Sequence, residues 1–188
     1  MKKTALALWL LAASGAPVAA SSDTPYGLLD ITLGVSYTQA ERLLDLRDIN
    51  AALAARHEPG RPGLGRRGYG CLMREDEFAD TGCVSHDERL DGAPTREIRL
   101  QFIAGRLQQM SLTAEARQFD AVLDYLRRRY GAPAISQDDS PRYEWRNGIS
   151  SLYAIRGPNL VFVSLELASY QTAVARKRAH GSSAPECR

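Results

Sequence analysis

Residues 97–112 read EIRLQFIAGRLQQMSL, and this stretch decides the fold class. Ile98, Leu100 and Phe102 alternate with Glu97, Arg99 and Gln101, the period of a strand with one buried face. Ala104-Gly105 interrupts the pattern as a turn signal. Leu107 to Leu112 then returns with Met110 and Leu112 facing inward. Two alternating runs joined by a short Gly-containing turn predict an antiparallel β-hairpin.

The strongest helix lies immediately downstream, in RQFDAVLDYLRRRYGAP. Phe119, Val122, Leu123, Leu126 and Tyr130 are spaced i, i+3, i+4, i+7, i+11 and form one apolar stripe. Arg127, Arg128 and Arg129 occupy its last turn, where positive charge complements the helix dipole. Gly131 suits the residue just past the helix, and Pro133 blocks continuation. Three strands should follow. Tyr143 and Trp145 alternate in the first, and Ile149, Ser151, Tyr153 and Ile155 in the second. The third, LVFVSLELA from Leu160, is apolar on both faces at first, as in a central strand.

Upstream of the hairpin, Ser36 and Gln39 form a capping box ahead of YTQAERLLDL, with Val35 placed to pack on Ala40. Ala40, Leu43 and Leu44 then share one face of a short helix, which residues 48–56 could extend. Residues 57–70 hold five glycines and two prolines and read as a loop. A further strand is expected over Tyr69–Met73. After Tyr170 the composition changes, and residues 171–188 read as a flexible tail.

Helix then strands, twice over, predicts an α+β domain. Its sheet would be antiparallel, of about six strands, with the two main helices packed on one face. The single domain spans 21–170, in halves of about 30–113 and 114–170. In this respect LGVSYTQAERLL (33–44), and FDAVLDYLRRRYGAP (119–133) followed by YEW (143–145), resemble small exported α+β proteins. Those are the β-lactamase inhibitor protein family and the SmpA/OmlA group of outer-membrane assembly lipoproteins. The first resemblance implies a secreted inhibitor with an exposed aromatic face. From the second, membrane anchoring does not carry over, because the lipidated cysteine is missing.

The first twenty residues, MKKTALALWLLAASGAPVAA, have the form of a signal peptide. Lys2 and Lys3 precede an apolar run from Ala5 to Ala13, and Val18 and Ala20 place small residues at a cleavage position. The run is shorter than the roughly 20 apolar residues of a membrane span. Cleavage after Ala20 would give a periplasmic or secreted protein with no span and no lipid anchor. The chain has 24 Lys+Arg and 22 Asp+Glu, and loss of Lys2 and Lys3 leaves 22 against 22. A neutral balance supplies no general drive toward nucleic acid, whose affinity rests on neutralising phosphates.

CLMREDEFADTGC, residues 71–83, holds two of the three cysteines, and His86 follows. Cys71, Cys83 and His86 lack the paired short spacings of structural zinc, and a fourth ligand would have to come from Asp76, Glu77, Asp80 or His57. The C-x-x-C form of a redox dithiol is absent. In an oxidising compartment the pair reads as a disulfide, Cys71–Cys83, closing a hairpin-like loop; Cys187 stays over as a tail thiol. Ser85-His86-Asp87 cannot form a relay, since sequence neighbours cannot point at one another as the triad requires. No nucleophile elbow or zinc helix appears. The expectation is therefore no catalytic residue, no metal and no cofactor.

What remains is a binding or interaction module for a protein or envelope component. Its candidate surface comprises Tyr143, Trp145 and Tyr153 on adjacent strands, with Arg66 and Arg67 from the glycine-rich loop. Tyr, Trp and Arg dominate interface hot spots, although for the three aromatics the core reading is preferred over the surface one. Rival readings are the secreted inhibitor, or a small hydrolase using Glu77 and Asp80.

Overall fold

The computed structural model describes residues 24–48, 68–73, 77–86, 88–135 and 142–181. The signal-peptide stretch, Arg66, Arg67, His57, Asp76, Asp87 and Cys187 lie outside them. The predicted hairpin is present as β8 (Glu97–Ile103) and β9 (Arg106–Glu115). Ala104 and Gly105 both adopt positive φ, 50° and 69°, as a two-residue turn between right-twisted strands demands. Ile98 pairs with Leu112 and Leu100 with Met110, but the register then slips, so that Gln101 faces Gln109 while Phe102 faces Leu107. The extra residue is Gln108. This bulge lets Leu107, out of phase with Met110 in sequence, join it in the core.

Around the hairpin the chain builds a nine-stranded sheet, ordered β10-β11-β12-β13-β9-β8-β5-β4-β3. Its other members are β3 (Leu46–Asp48), β4 (Tyr69–Met73), β5 (Thr81–Ser85), β10 (Ala134–Ile135), β11 (Arg142–Arg146), β12 (Ser150–Arg156) and β13 (Leu160–Leu167). Every neighbouring pair is antiparallel except β3 with β4. Strand β13 lies near the middle and joins the two halves through β9. Two small hairpins, β1 (Gly27–Leu28) with β2 (Ile31–Thr32) and β6 (Arg89–Leu90) with β7 (Ala93–Pro94), lie outside this sheet. The architecture is α+β with an antiparallel sheet, as expected, but with nine strands instead of about six. The strands missed were β3, β5 and β10, each short or weakly apolar.

Helices α1 (Tyr37–Leu43) and α2 (Phe119–Tyr130) pack on one face. Ala40 from α1 and Phe119, Val122, Leu123 and Leu126 from α2 bury against Ile98, Leu100, Met110, Val163 and Leu165 in one cluster. The capping box forms: the Ser36 hydroxyl accepts the Gln39 N–H, and Gln39 Oε1 accepts the Ser36 N–H. Leu43, expected beside Ala40, is instead 55% exposed. The helix stops there, Leu44 turns extended and packs against the core in its place, and the chain enters β3. Residues 46–48 are thus strand; 49–56 lie outside the described residues. At the end of α2, Gly131 takes φ 80° and its carbonyl accepts the Trp145 indole N–H at 2.9 Å.

The reading of 171–188 as a flexible tail is corrected for 171–181: Tyr170–Gly181 form a third helix, α3. Its alanines, arginines and lysine are good helix formers. It docks through Tyr170 and Val174, which meet Ile103 in a small separate cluster. Ile103 alternates with Phe102, so α3 lies on the opposite sheet face from α1 and α2. The two main helices share one face, and the helix packing differs from the expectation only by this third helix on the other.

Candidate binding cleft

The site begins with the staple. Cys71 and Cys83 stand directly opposite in β4 and β5, with Cα atoms 4.0 Å apart, and are disulfide-bonded and buried. Of the loop they close, residues 77–80 are described, and three of these four reach α3. Glu77 pairs with Arg178 at 2.9 Å, and Asp80 with Lys177 at 2.6 Å. The Arg178 guanidinium lies 5.1 Å from the Phe78 ring centroid. Asp80 also accepts the Ala104 N–H at 2.6 Å, tying the loop to the β8–β9 turn. Partial burial pushes the Asp80 carboxyl upward, but the hydrogen bonds from Lys177 and the Ala104 amide, with the lysine charge, outweigh it and hold it below its ordinary value.

Between α3 and the sheet lies a cleft of about 330 Å³. Its floor is a row in register across three neighbouring strands: Gln101, Gln109 and Glu166. Its wall is Tyr170, Gln171, Val174 and Arg178 of α3, and Phe78 also lines it. The bulge at Gln108 stands beside this row, so the kink that completes the core also borders the cleft. Gly82 continues the row on β5, with open space where a Cβ would stand.

The polar groups are partly committed. Tyr170 donates its hydroxyl to Gln101 Oε1 at 3.0 Å. Gln109 Nε2 donates to Glu166 Oε1 at 3.1 Å and Ser164 Oγ at 3.3 Å, and Gln171 Nε2 donates to Glu166 Oε2 at 3.3 Å. The amide nitrogen of Gln101 and the amide oxygens of Gln109 and Gln171 have no protein partner among the described residues. Glu166 likewise has no ion pair among them.

The surface expected from sequence is not one patch. Tyr143 and Trp145 pair with Ala154 and Leu152, on the face covered by α2. Trp145 is 4% exposed, and the Tyr143 ring lies 5.6 Å from Phe119. Tyr153 is on the other face, 6.0 Å from Phe162, with the Arg142 guanidinium 4.1 Å from its ring centroid. The arginines ending α2 are spread among separate partners. Arg127 contacts Asp124 and Tyr143, Arg128 pairs with Asp91, and Arg129 donates to the Leu29 carbonyl and the Tyr125 hydroxyl.

Asp80 and His86 flank opposite ends of β5. The exposed His86 ring nitrogen Nδ1 lies 3.2 Å from the Arg96 carbonyl. Glu77 and Asp80 are engaged with α3 and do not converge with His86. Among the described residues no three His, Cys, Asp or Glu side chains are grouped to hold a metal ion. The cleft residues went unnoticed in sequence because Gln101 and Gln109 occupy ordinary outward positions of a half-buried hairpin. Comparison of the chain with known protein families, with curated proteins and with solved structures finds no match.

Proposed function

We propose that this chain is a non-catalytic binding module of an extracytoplasmic compartment, and that its ligand sits in the cleft between α3 and the sheet. The observation that carries this reading is the convergence of five elements on one concave polar surface. Three central strands supply the floor, a helix the wall, and a disulfide-closed loop the clamp on that helix. A cleft of this size sits at the low end of the roughly 300–1,000 Å³ usual for ligand sites. The buried disulfide accords with an oxidising compartment. No helix among the described residues is long and apolar enough to cross a membrane.

The test is hydrogen exchange on the oxidised protein in the presence of fractionated envelope material. The reading expects protection confined to residues 101–109 and 166–178, with the bound material recovered chemically unchanged. Protection centred on Tyr153 and Phe162, or a ligand recovered as cleaved product, would overturn it.

A further inference from the structure

The cleft also carries a statement about ligand chemistry, which rests on the binding reading above. We infer that it takes an uncharged saccharide, either free or as a short segment of a glycan.

The hydrogen-bonding inventory points there first. The Gln101 amide nitrogen offers two donors, while the amide oxygens of Gln109 and Gln171 offer acceptor lone pairs. Donors and acceptors thus mix along one short wall and floor. A sugar hydroxyl gives and receives at the same atom, so adjacent hydroxyls match such a mixture. An apolar ligand would strip water from the amides and from Glu166 without replacing it, at a cost of about 1–3 kcal/mol for each polar group left unpaired.

Charge comes next. Glu166 is the carboxylate on the floor, held by neutral amide donors and by no cation among the described residues. Arg178 on the rim is already engaged by Glu77 and the Phe78 ring. An acidic ligand would therefore meet repulsion, and among the described residues that line the cleft the one cation, Arg178, is already engaged.

Geometry excludes a peptide strand. Extended peptides bind by adding to a sheet edge, where backbone N–H and C=O groups are open. This cleft lies over β8, β9 and β13, which are all interior to the sheet and paired on both sides. Phe78 and Val174 add an apolar contact beside the polar row, suited to the C–H face of a pyranose ring.

Calorimetric titration of the oxidised full chain tests this with three probes: neutral oligosaccharides of glucose or N-acetylglucosamine, uronate-bearing oligosaccharides of equal length, and a neutral tetrapeptide. The neutral sugars should bind best. Gln109→Ala and Gln171→Ala should each weaken them by roughly fivefold to tenfold, one hydrogen bond's worth, with unchanged thermal unfolding showing that the variants fold. Glu166→Gln should narrow the gap between neutral and uronate probes. Preference for the uronate or the peptide, lost in the same Gln109 and Gln171 variants, would overturn the saccharide assignment and leave the cleft standing as a site. Neutral-sugar binding indifferent to both glutamine variants would overturn the cleft itself. Absence of binding by every saccharide probe would overturn the ligand class.

Discussion

Two helices of equal length lie against opposite faces of the same sheet, and they are held by different physics. Helix α2 buries Phe119, Val122, Leu123 and Leu126 in the main core. Helix α3 buries Tyr170 and Val174, with Ile103 beneath them. Ala173 packs beside them, and much of the remaining attachment is polar: the Lys177–Asp80 and Arg178–Glu77 pairs and the hydrogen bonds from Tyr170 and Gln171. Apolar burial contributes roughly 1.5–3 kcal/mol per large side chain, whereas exposed ion pairs contribute about 0–1 kcal/mol each. The comparison teaches a division of labour. One helix completes the fold, and the other forms the wall of a cleft and can be disturbed without unfolding the domain.

The sharpest way to break this comparison is to remove a core anchor. Leu126→Ala should cost about 2–5 kcal/mol, read as a lower midpoint of urea unfolding seen equally by probes on both faces. The next effect is the staple. The paired change Cys71→Ser with Cys83→Ser should cost about 3 kcal/mol by the chain-entropy relation for a loop of this length. Because residues 77–80 lead directly into Cys83's strand, this variant should also loosen α3 beyond the global loss, as measured by hydrogen exchange at 170–178. Equal loss of protection in α2 and α3 would show that the two helices are not separately held. Smaller again is Val174→Ala, which removes one of two anchors of α3. It should cost about 1.5 kcal/mol and raise exchange in α3 while leaving α2 unchanged.

The same contrast explains what was legible in the sequence. The β8–β9 hairpin and α2 could be read because each carries its reason locally, an alternation in one and a continuous apolar stripe in the other. The disulfide could be read from the signal-peptide form of the first twenty residues and from cysteine spacing. Strand β5, Thr81–Ser85, could not, since a short run containing Gly82 becomes a strand only when β4 and β8 pair with it. Helix α3 shows two anchoring apolar side chains amid arginines and a lysine, and its acidic partners lie about a hundred positions upstream. Tyr143, Trp145 and Tyr153 lie on adjacent strands, as their alternation predicts. Their division between two faces depends on the β11–β12 turn, where Asn147 Oδ1 accepts the Ile149 and Ser150 N–H groups and fixes a register pairing Tyr143 with Ala154. The cleft joins Gln101, Gln109 and Glu166 from three strands to a helix with no local signature, so no single window of sequence contains it.

The smallest expected effect is also the most specific to α3, the acid dependence of its docking. Asp80 has a folded pKa held below its ordinary value by Lys177 and the Ala104 amide, against the upward push of burial. A depressed carboxyl stabilises the docked state at pH values above the ordinary carboxylate range, and that contribution is lost as pH falls through the folded value. Helix α3 should therefore loosen in strongly acid solution before α2 responds, by an amount within the 0.2–1 kcal/mol typical of exposed pairs, given that Asp80 is 41% exposed in its side chain. The Val174 methyl resonances, followed from neutral to acid solution, report this directly. Asp80→Asn should flatten the acid-side change while keeping an acceptor for the Ala104 N–H, which separates Asp80 from Glu77 and Glu166, the other carboxylates touching the helix. An unaltered acid transition in that variant would place the switch on those neighbours and remove Asp80 from the clamp.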